Sequence, residues 1–176
     1  DNGRLPMDAQ KNTAGVAVIA FMNAIGNTQG VEILLKKNLP LGSGMGSSAA
    51  SSVAALVGIN HLLGNPFEKK DLLPFAMEAE RIACGSAHAD NVAPSLLGGF
   101  VLIRGYTPLD VVSIPTPENL YCTLVHPHLE LNTQDSRQVL RMNISLKDAV
   151  TQWGNIAGLV AGLMKPDYSL ISRSLK

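Results

Sequence analysis

Residues 40–50 read PLGSGMGSSAA, and this segment guides the interpretation of the whole chain. Its three glycines, at positions 42, 44 and 46, allow the backbone to curl and let a ligand approach the main chain closely. The segment lies between a β-prone run and a stretch of small residues that predicts a helix. The start of such a helix offers amide groups without partners and a partial positive charge. The pattern therefore predicts a phosphate site.

The spacing excludes two common phosphate-binding motifs. No lysine follows Gly46, as a Walker A loop requires, and the three glycines do not fit the dinucleotide pattern GxGxxG. Ser47 and Ser48 add hydroxyl groups that suit helix capping, phosphate binding or magnesium ligation. From the residues alone, a glycine-rich turn with a serine cap is the open alternative.

The composition favours a packed domain with a small-molecule site. The 176 residues allow one domain, or one domain and part of another; 46% are apolar and 16% are charged. Basic and acidic residues balance at 14 each, so the chain has no broad electrostatic surface for nucleic acid or membrane. No apolar run reaches the roughly 18 residues of a membrane span. We expect a cytoplasmic protein in which Cys84 and Cys122 are reduced thiols.

The periodicity of apolar residues predicts a mixture of helices and strands. Pro74 falls in the first turn of one predicted helix or kinks it. Pro115-Thr116-Pro117 is the best candidate for a domain boundary, and the pattern fits α+β or α/β architecture. Helices are predicted at 9–25, 47–63, 68–84, 133–140 and 147–164, and strands at 31–35, 98–103, 110–114 and 120–126.

A second polar cluster lies on and after the third predicted helix. Glu80 lies on the helix, and His88, Asp90 and Asn91 follow in a polar loop just before an apolar run. So many hydrogen-bonding side chains beside a core segment indicate a binding site. Plainer interpretations stay open: Glu80 as a solvated carboxylate, His88 as an ordinary loop histidine, and Asp90 with Asn91 as an Asx turn.

The quoted segment resembles the central motif of the GHMP small-molecule kinases. A second segment, HADNVAP at 88–94 followed by LLGGF at 96–100, resembles the signature of the homoserine kinase branch of that family. The resemblance implies an α+β fold with a first domain similar to ribosomal protein S5 domain 2 and a ferredoxin-like second domain. On this chain these would be 1–115, truncated at its start, and part of the second domain at 116–176, truncated at its end.

The same resemblance implies that the bound molecules are ATP, Mg²⁺ and L-homoserine. Ser48 and Glu80 correspond to the magnesium ligands. Asn91 corresponds to the residue nearest the accepting hydroxyl and, with Thr133, to the catalytic pair. His88, Asp90, Asn91 and Arg137 correspond to the substrate pocket. The implied nucleotide-binding residues are Pro40, Gly42, Ser43, Gly44, Met45, Gly46, Ser47, Ser48 and Ala49.

Residues 125–137 resemble a further family segment of the form HP…TxxxR. Thr133 and Arg137 are four residues apart, so on a helix they share a face. The planar guanidinium of Arg137 suits the homoserine carboxylate. Without the resemblance, Arg137 reads as a surface arginine and Thr133 as a helix N-cap. No general base is assigned, and Asp90 is interpreted as a substrate ligand.

The implied reaction is transfer of the ATP γ-phosphoryl group to the side-chain hydroxyl of L-homoserine, a step towards threonine. Many relatives are dimers, so a homodimer is possible. The sequence opens without Met, and nothing before residue 40 or after residue 164 matches the family's terminal motifs. We therefore expect a piece of a longer enzyme that is inactive alone. The alternatives are another GHMP kinase, of mevalonate or sugar type, a non-catalytic nucleotide-binding relative and a structural module.

Overall fold

The computed structural model describes residues 3–125, 140–141 and 143–176. The chain divides into two compact units, one running up to Gly98 and the other beginning at Gly99. This division does not coincide with the predicted segments 1–115 and 116–176, which stay a prediction about the domains of the whole protein.

The regular structure of the first unit, over its described residues 3–98, is helical. Asn12 begins the first helix, because its side-chain oxygen accepts a hydrogen bond from the Ala14 amide at 3.0 Å. The predicted helices at 9–25, 47–63 and 68–84 are confirmed with small shifts of their ends, and Pro74 lies in a first turn. The elements are α1 (Thr13–Ala24), α2 (Ser47–Leu62), a 3₁₀ turn (Lys69–Leu72), α3 (Leu73–Cys84) and α4 (Val92–Leu97).

The core of this unit lies where α1, α2 and α3 pack against each other. Phe21 of α1 and Leu56 of α2 are fully buried. Phe21 also meets Phe67 and Phe75 edge to face, with ring centroids 5.3 and 5.8 Å away. Edge-to-face contacts add to the stabilisation that apolar burial provides. The small residues of α2 let α1 approach closely, which fixes the position of the loop before α2.

Two predicted strands are absent from the described part of the chain. Residues 31–35 are extended but lie in no ladder, and Leu34 is 82% exposed; residues 120–125 likewise carry no regular structure. A β-strand is stabilised by hydrogen bonds to a neighbouring strand, and within the described residues neither segment has one. The apolar pattern predicted the extended backbone at 31–35, but it carried no information about a partner.

The second unit contains a β-hairpin and two helices. Strands β1 (Phe100–Tyr106) and β2 (Leu109–Ile114) pair antiparallel, with Phe100 opposite Ile114, which confirms the two strands predicted there. Helix α5 (Leu146–Met164) matches the predicted helix at 147–164, whereas α6 (Tyr168–Arg173) was not predicted. The helix predicted at 133–140 lies outside the described residues, apart from Leu140.

Glycines allow α6 to pack closely on α5. A Cβ atom placed on Gly162 would lie 2.8 Å from the side chain of Ile171, and one on Gly158 would lie 2.5 Å from the Ser174 hydroxyl. The helices and the hairpin together confirm the α+β class. Among the described residues, no helix combines the length and the apolar character needed to cross a membrane.

Candidate active site

The glycine segment forms a loop whose backbone only glycine adopts easily. Gly42, Gly44 and Gly46 have φ angles of 65°, 72° and 66°. This left-handed region costs an L-residue about 1–2 kcal/mol, because Cβ approaches the following carbonyl oxygen. The sequence prediction of a curled glycine loop between residues 40 and 46 agrees with this geometry.

The loop ends at the N-terminus of the 16-residue helix α2. Gly46 is the N-cap; its carbonyl accepts the first helical hydrogen bond, from the Ala50 amide at 2.9 Å. With no side chain, Gly46 makes no side-chain cap to the first turn. The amides of Ser47, Ser48 and Ala49 therefore remain at the start of the helix dipole, where an anion is favoured.

The hydroxyl groups of the loop divide into two kinds. Ser43 donates to the Pro40 carbonyl at 2.8 Å and Ser47 donates to the Leu39 carbonyl at 3.2 Å, so both stabilise the path of the loop. The half-buried Ser48 makes no such side-chain bond within the described residues. Of the two neighbouring serines, Ser48 therefore has the hydroxyl better placed for a ligand.

Asn91 lies against the last glycine of the loop, although the two are far apart in sequence. A Cβ atom on Gly46 would lie 3.3 Å from Asn91 Oδ1 and 3.6 Å from its Cβ. Asn91 begins α4 without using its side chain as a cap, and the residue is exposed. The amide group of Asn91 is thus adjacent to the start of α2 and available to a second ligand there.

Lys37 is a residue of this site that the sequence did not identify. Its ammonium group donates to the carbonyl of Ser47 and to the hydroxyl of Ser51, both in the first turns of α2. Partial burial lowers the pKa of Lys37, and attraction to the carboxylate of Glu80 opposes that effect. The sequence shows only a Lys36-Lys37 pair after an apolar run, which looks like an ordinary solvated end.

Glu80 is buried, which excludes the interpretation of a solvated carboxylate. It is 4% exposed on α3, whereas Glu78 of the same helix pairs with Arg81 at the surface. A buried carboxylate requires compensation by positive charge or a metal ion. Its charge also acts on Lys37, whose ammonium group is hydrogen-bonded to the first turns of α2.

The remaining predicted residues are less closely tied to the loop. His88 is half-buried and Asp90 is exposed; they lie three residues and one residue before Asn91, the N-cap of α4. Thr133 and Arg137 lie outside the described residues, so their predicted roles stay predictions. The structure thus brings together the glycine loop, Asn91 and Glu80 from three separate segments.

The donor atoms near α2 suit a hard cation. Magnesium prefers oxygen ligands, and it is usually held by one or two carboxylates with substrate phosphates and water. The Glu80 carboxylate and the Ser48 hydroxyl provide oxygen donors of this kind. Within the described part of the chain no cluster of three histidine, cysteine or acidic residues forms a site made of protein ligands alone. The arrangement fits a metal that binds together with a polyphosphate.

Comparison with known proteins identifies the family. The sequence profile described as "GHMP kinases N terminal domain" matches residues 12–99, which contain the loop, Glu80 and Asn91. The chain is 56% identical over 181 aligned residues to a homoserine kinase of Chlorobium phaeobacteroides, covering 99% of this chain and 57% of that protein. A homoserine kinase of Chloroherpeton thalassium is 55% identical, and the alignment covers 100% of this chain and 57% of that protein.

A solved structure gives the same result. The crystal structure of homoserine kinase from Cytophaga hutchinsonii superposes with a TM-score of 0.96 at 60% sequence identity. The match covers 100% of this chain and 56% of the chain in the crystal structure. The chain therefore spans a little more than half the length of the relatives that it matches. The match of the family profile to residues 12–99 agrees with the geometry of the glycine loop, and the chain belongs to the GHMP kinase family.

Proposed function

We propose that the whole protein transfers the γ-phosphoryl group of ATP to the side-chain hydroxyl of L-homoserine. The observation that carries this proposal is the juxtaposition of Asn91 with Gly46 at the uncapped start of α2. A site for phosphate and a polar group for an acceptor lie side by side there. The similarity to proteins named homoserine kinase supports homoserine as the acceptor.

The nucleotide phosphates would bind along the loop from Pro40 to Ala49. Main-chain amides at Gly44, Gly46 and the first turn of α2 donate hydrogen bonds to phosphate oxygens, and the helix dipole adds favourable charge. Ser43 and Ser47 hold the loop in this shape through their bonds to main-chain carbonyls. Lys37, which is fastened to the same turn of α2, adds positive charge near the phosphates.

Magnesium would be held by Ser48 and Glu80 with oxygens of the nucleotide. When bound, it neutralises negative charge that develops on the transferring group. Glu80 is buried on α3, so its carboxylate is kept in a fixed position. Lys37 balances part of the charge of this carboxylate in the protein without ligands.

The acceptor would lie next to Asn91. The hydroxyl oxygen of homoserine forms a bond to the γ-phosphorus as the bond to the leaving oxygen of ADP breaks, and the hydroxyl proton is released. Such a transfer depends on alignment and charge neutralisation more than on a strong base. Asn91 and Thr133 would orient the hydroxyl, His88 and Asp90 would contact the amino acid, and Arg137 would bind its carboxylate.

The wider setting follows from the proposed reaction. O-Phospho-L-homoserine lies on the route to threonine, so the enzyme would work in amino-acid biosynthesis in the cytoplasm. The balanced charge of the chain favours small-molecule partners over nucleic acid or membrane surfaces. Assembly as a homodimer stays a prediction.

An ADP-release assay on the full-length protein tests the proposal. We expect turnover with L-homoserine and Mg²⁺-ATP, and much less with mevalonate or galactose. Glu80→Gln should lower activity at least about 100-fold and raise the Mg²⁺ requirement. Glu78→Gln, on the exposed face of the same helix, is the matched control and should retain activity. Turnover of another acceptor in preference to homoserine would refute the proposed substrate.

Arg137→Ala separates the two ligands. Loss of the guanidinium should raise the KM for homoserine at least about 10-fold while the KM for ATP changes little. An equal loss for both ligands would show that Arg137 does not bind the homoserine carboxylate.

A further inference from the structure

Helix α5 carries a continuous apolar stripe on its open side. The residues of this stripe recur at intervals of three and four, so they lie on one face of the helix. Three of them, Leu146, Trp153 and Met164, are 73%, 62% and 62% exposed. The α5 stripe consists of Leu146, Val150, Trp153, Ala157, Val160 and Met164.

The stripe forms one wall of an apolar groove. Trp153, Val160 and Met164 line it from the helix, and Leu102 of β1 lines it from the hairpin. The opposite face of α5 is already occupied, because α6 packs there on Gly158 and Gly162. The groove therefore belongs to a second face of the helix, which the described residues leave open.

The charge pattern of α5 is that of a core helix. Lys147 and Asp148 lie in its first turn, and no charged residue follows from position 149 to 164. A surface helix normally carries charge on its solvent side, whereas the polar residues of α5 after its first turn, Thr151, Gln152 and Asn155, are all uncharged. Interfaces between separate soluble proteins also have polar rims, which help to exclude wrong partners. The stripe therefore resembles an interior surface of a single folded chain.

The second unit is also too small to enclose such a surface. Within the residues that the structure describes, its sheet has two strands, and a two-stranded hairpin gains stability only when it is covered or extended. The curated relatives contain this region, because the match covers 99% of the present chain, and about 43% of their length lies outside the match. A large additional segment of the same polypeptide is thus available in these relatives.

We propose that the α5 stripe and Leu102 are the docking surface for the part of the polypeptide that the relatives carry beyond the matched region. That segment would pack apolar side chains against Trp153 and complete the second unit around the hairpin. The occupant is therefore part of the same chain, and it remains bound when the protein is diluted.

Trp153 provides a direct probe, because it is the only tryptophan among these 176 residues. Acrylamide quenching is measured on the full-length protein with any other tryptophan replaced by Phe, in the native state and in urea. Docking predicts a quenching constant at least about five-fold lower in the native state than in urea. An exposed Trp153 would give native and unfolded constants within about two-fold of each other, which would overturn the proposal.

A dilution series identifies the occupant. Protection of Trp153 that persists in the monomer supports the same chain, whereas protection that is lost as a dimer dissociates assigns the surface to a second copy and overturns the proposal. Val150→Glu in the full-length protein should lower the thermal midpoint clearly. Thr151→Glu, an exposed neighbour off the stripe, is the matched control and should change it little. Equal effects of the two substitutions would contradict docking on the stripe.

Discussion

Substitution of Gly46 by alanine tests the geometry of the phosphate loop. Gly46 has φ of 66°, so an alanine there costs about 1–2 kcal/mol of backbone strain. The new methyl group would also lie 3.3 Å from Asn91 Oδ1, close enough to displace that side chain by a few tenths of an ångström. Gly46→Ala therefore combines a backbone effect with a local shift of Asn91.

Gly44→Ala is the matched control for this substitution. Gly44 has φ of 72°, but a Cβ atom there would meet nothing within 4 Å. Both variants should lose about 1–2 kcal/mol of stability, which lowers the thermal midpoint by about 2–8 °C. The difference between them isolates the contact with Asn91 from the strain of the loop.

The kinetic assay compares the two variants in the full-length protein. Both should bind Mg²⁺-ATP more weakly, because strain moves the loop amides. In Gly46→Ala, kcat/KM for homoserine should fall about 10-fold further than in Gly44→Ala, because Asn91 no longer aligns the accepting hydroxyl. If the two variants have the same kcat/KM for homoserine, Asn91 does not act beside this glycine.

Three further predictions concern stability. Gly162→Ala should lower the free energy of unfolding by about 1–3 kcal/mol, because its methyl group would overlap Ile171. Gly154→Ala, in open space on the same helix, is the control and should be neutral or stabilising by up to about 1 kcal/mol. Equal shifts of the thermal midpoint would contradict the α5–α6 packing. Phe21→Ala should lower the free energy of unfolding, measured in urea, by about 3–5 kcal/mol, because it removes a fully buried ring at the centre of the aromatic cluster. A loss below about 1 kcal/mol would contradict the burial of Phe21. Partial burial lowers the pKa of Lys37 in the folded protein. Between the folded and unfolded pKa values the unfolded chain therefore binds more protons, and the free energy of unfolding rises with pH. Lys37→Met should remove this rise, and an unchanged dependence of the unfolding free energy on pH would contradict the burial of Lys37.

The local elements could largely be predicted from the sequence, because their causes are local. The run of small residues in α2 and the Gly-x-Gly-x-Gly spacing before it determine a helix and a curled loop without help from distant residues. The same holds for the hairpin strands β1 and β2, whose turn residues lie between them. The segment at 31–35 was predicted as a strand but pairs with no strand among the described residues, because strand formation depends on a partner that its own residues do not encode.

The contacts that assemble the site depend on tertiary packing. The sequence marked Asn91 and Gly46 separately, but their contact depends on how α4 packs near α2. Burial of Glu80 depends on which face of α3 meets the core, and the pattern of acidic residues at 78 and 80 does not decide this. Lys37 was missed because a lysine after an apolar run has no local feature that separates a partly buried, hydrogen-bonded ammonium from a solvated one.

Amide chemical shifts of the full-length protein, measured during titration with Mg²⁺-ATP, show whether the glycine loop and the start of α2 bind the nucleotide phosphates. We expect the largest shifts at Gly44, Gly46 and the first-turn amides of Ser47, Ser48 and Ala49, and we expect them to weaken when Mg²⁺ is removed. Saturable binding with unchanged shifts at these amides would contradict the proposed phosphate site.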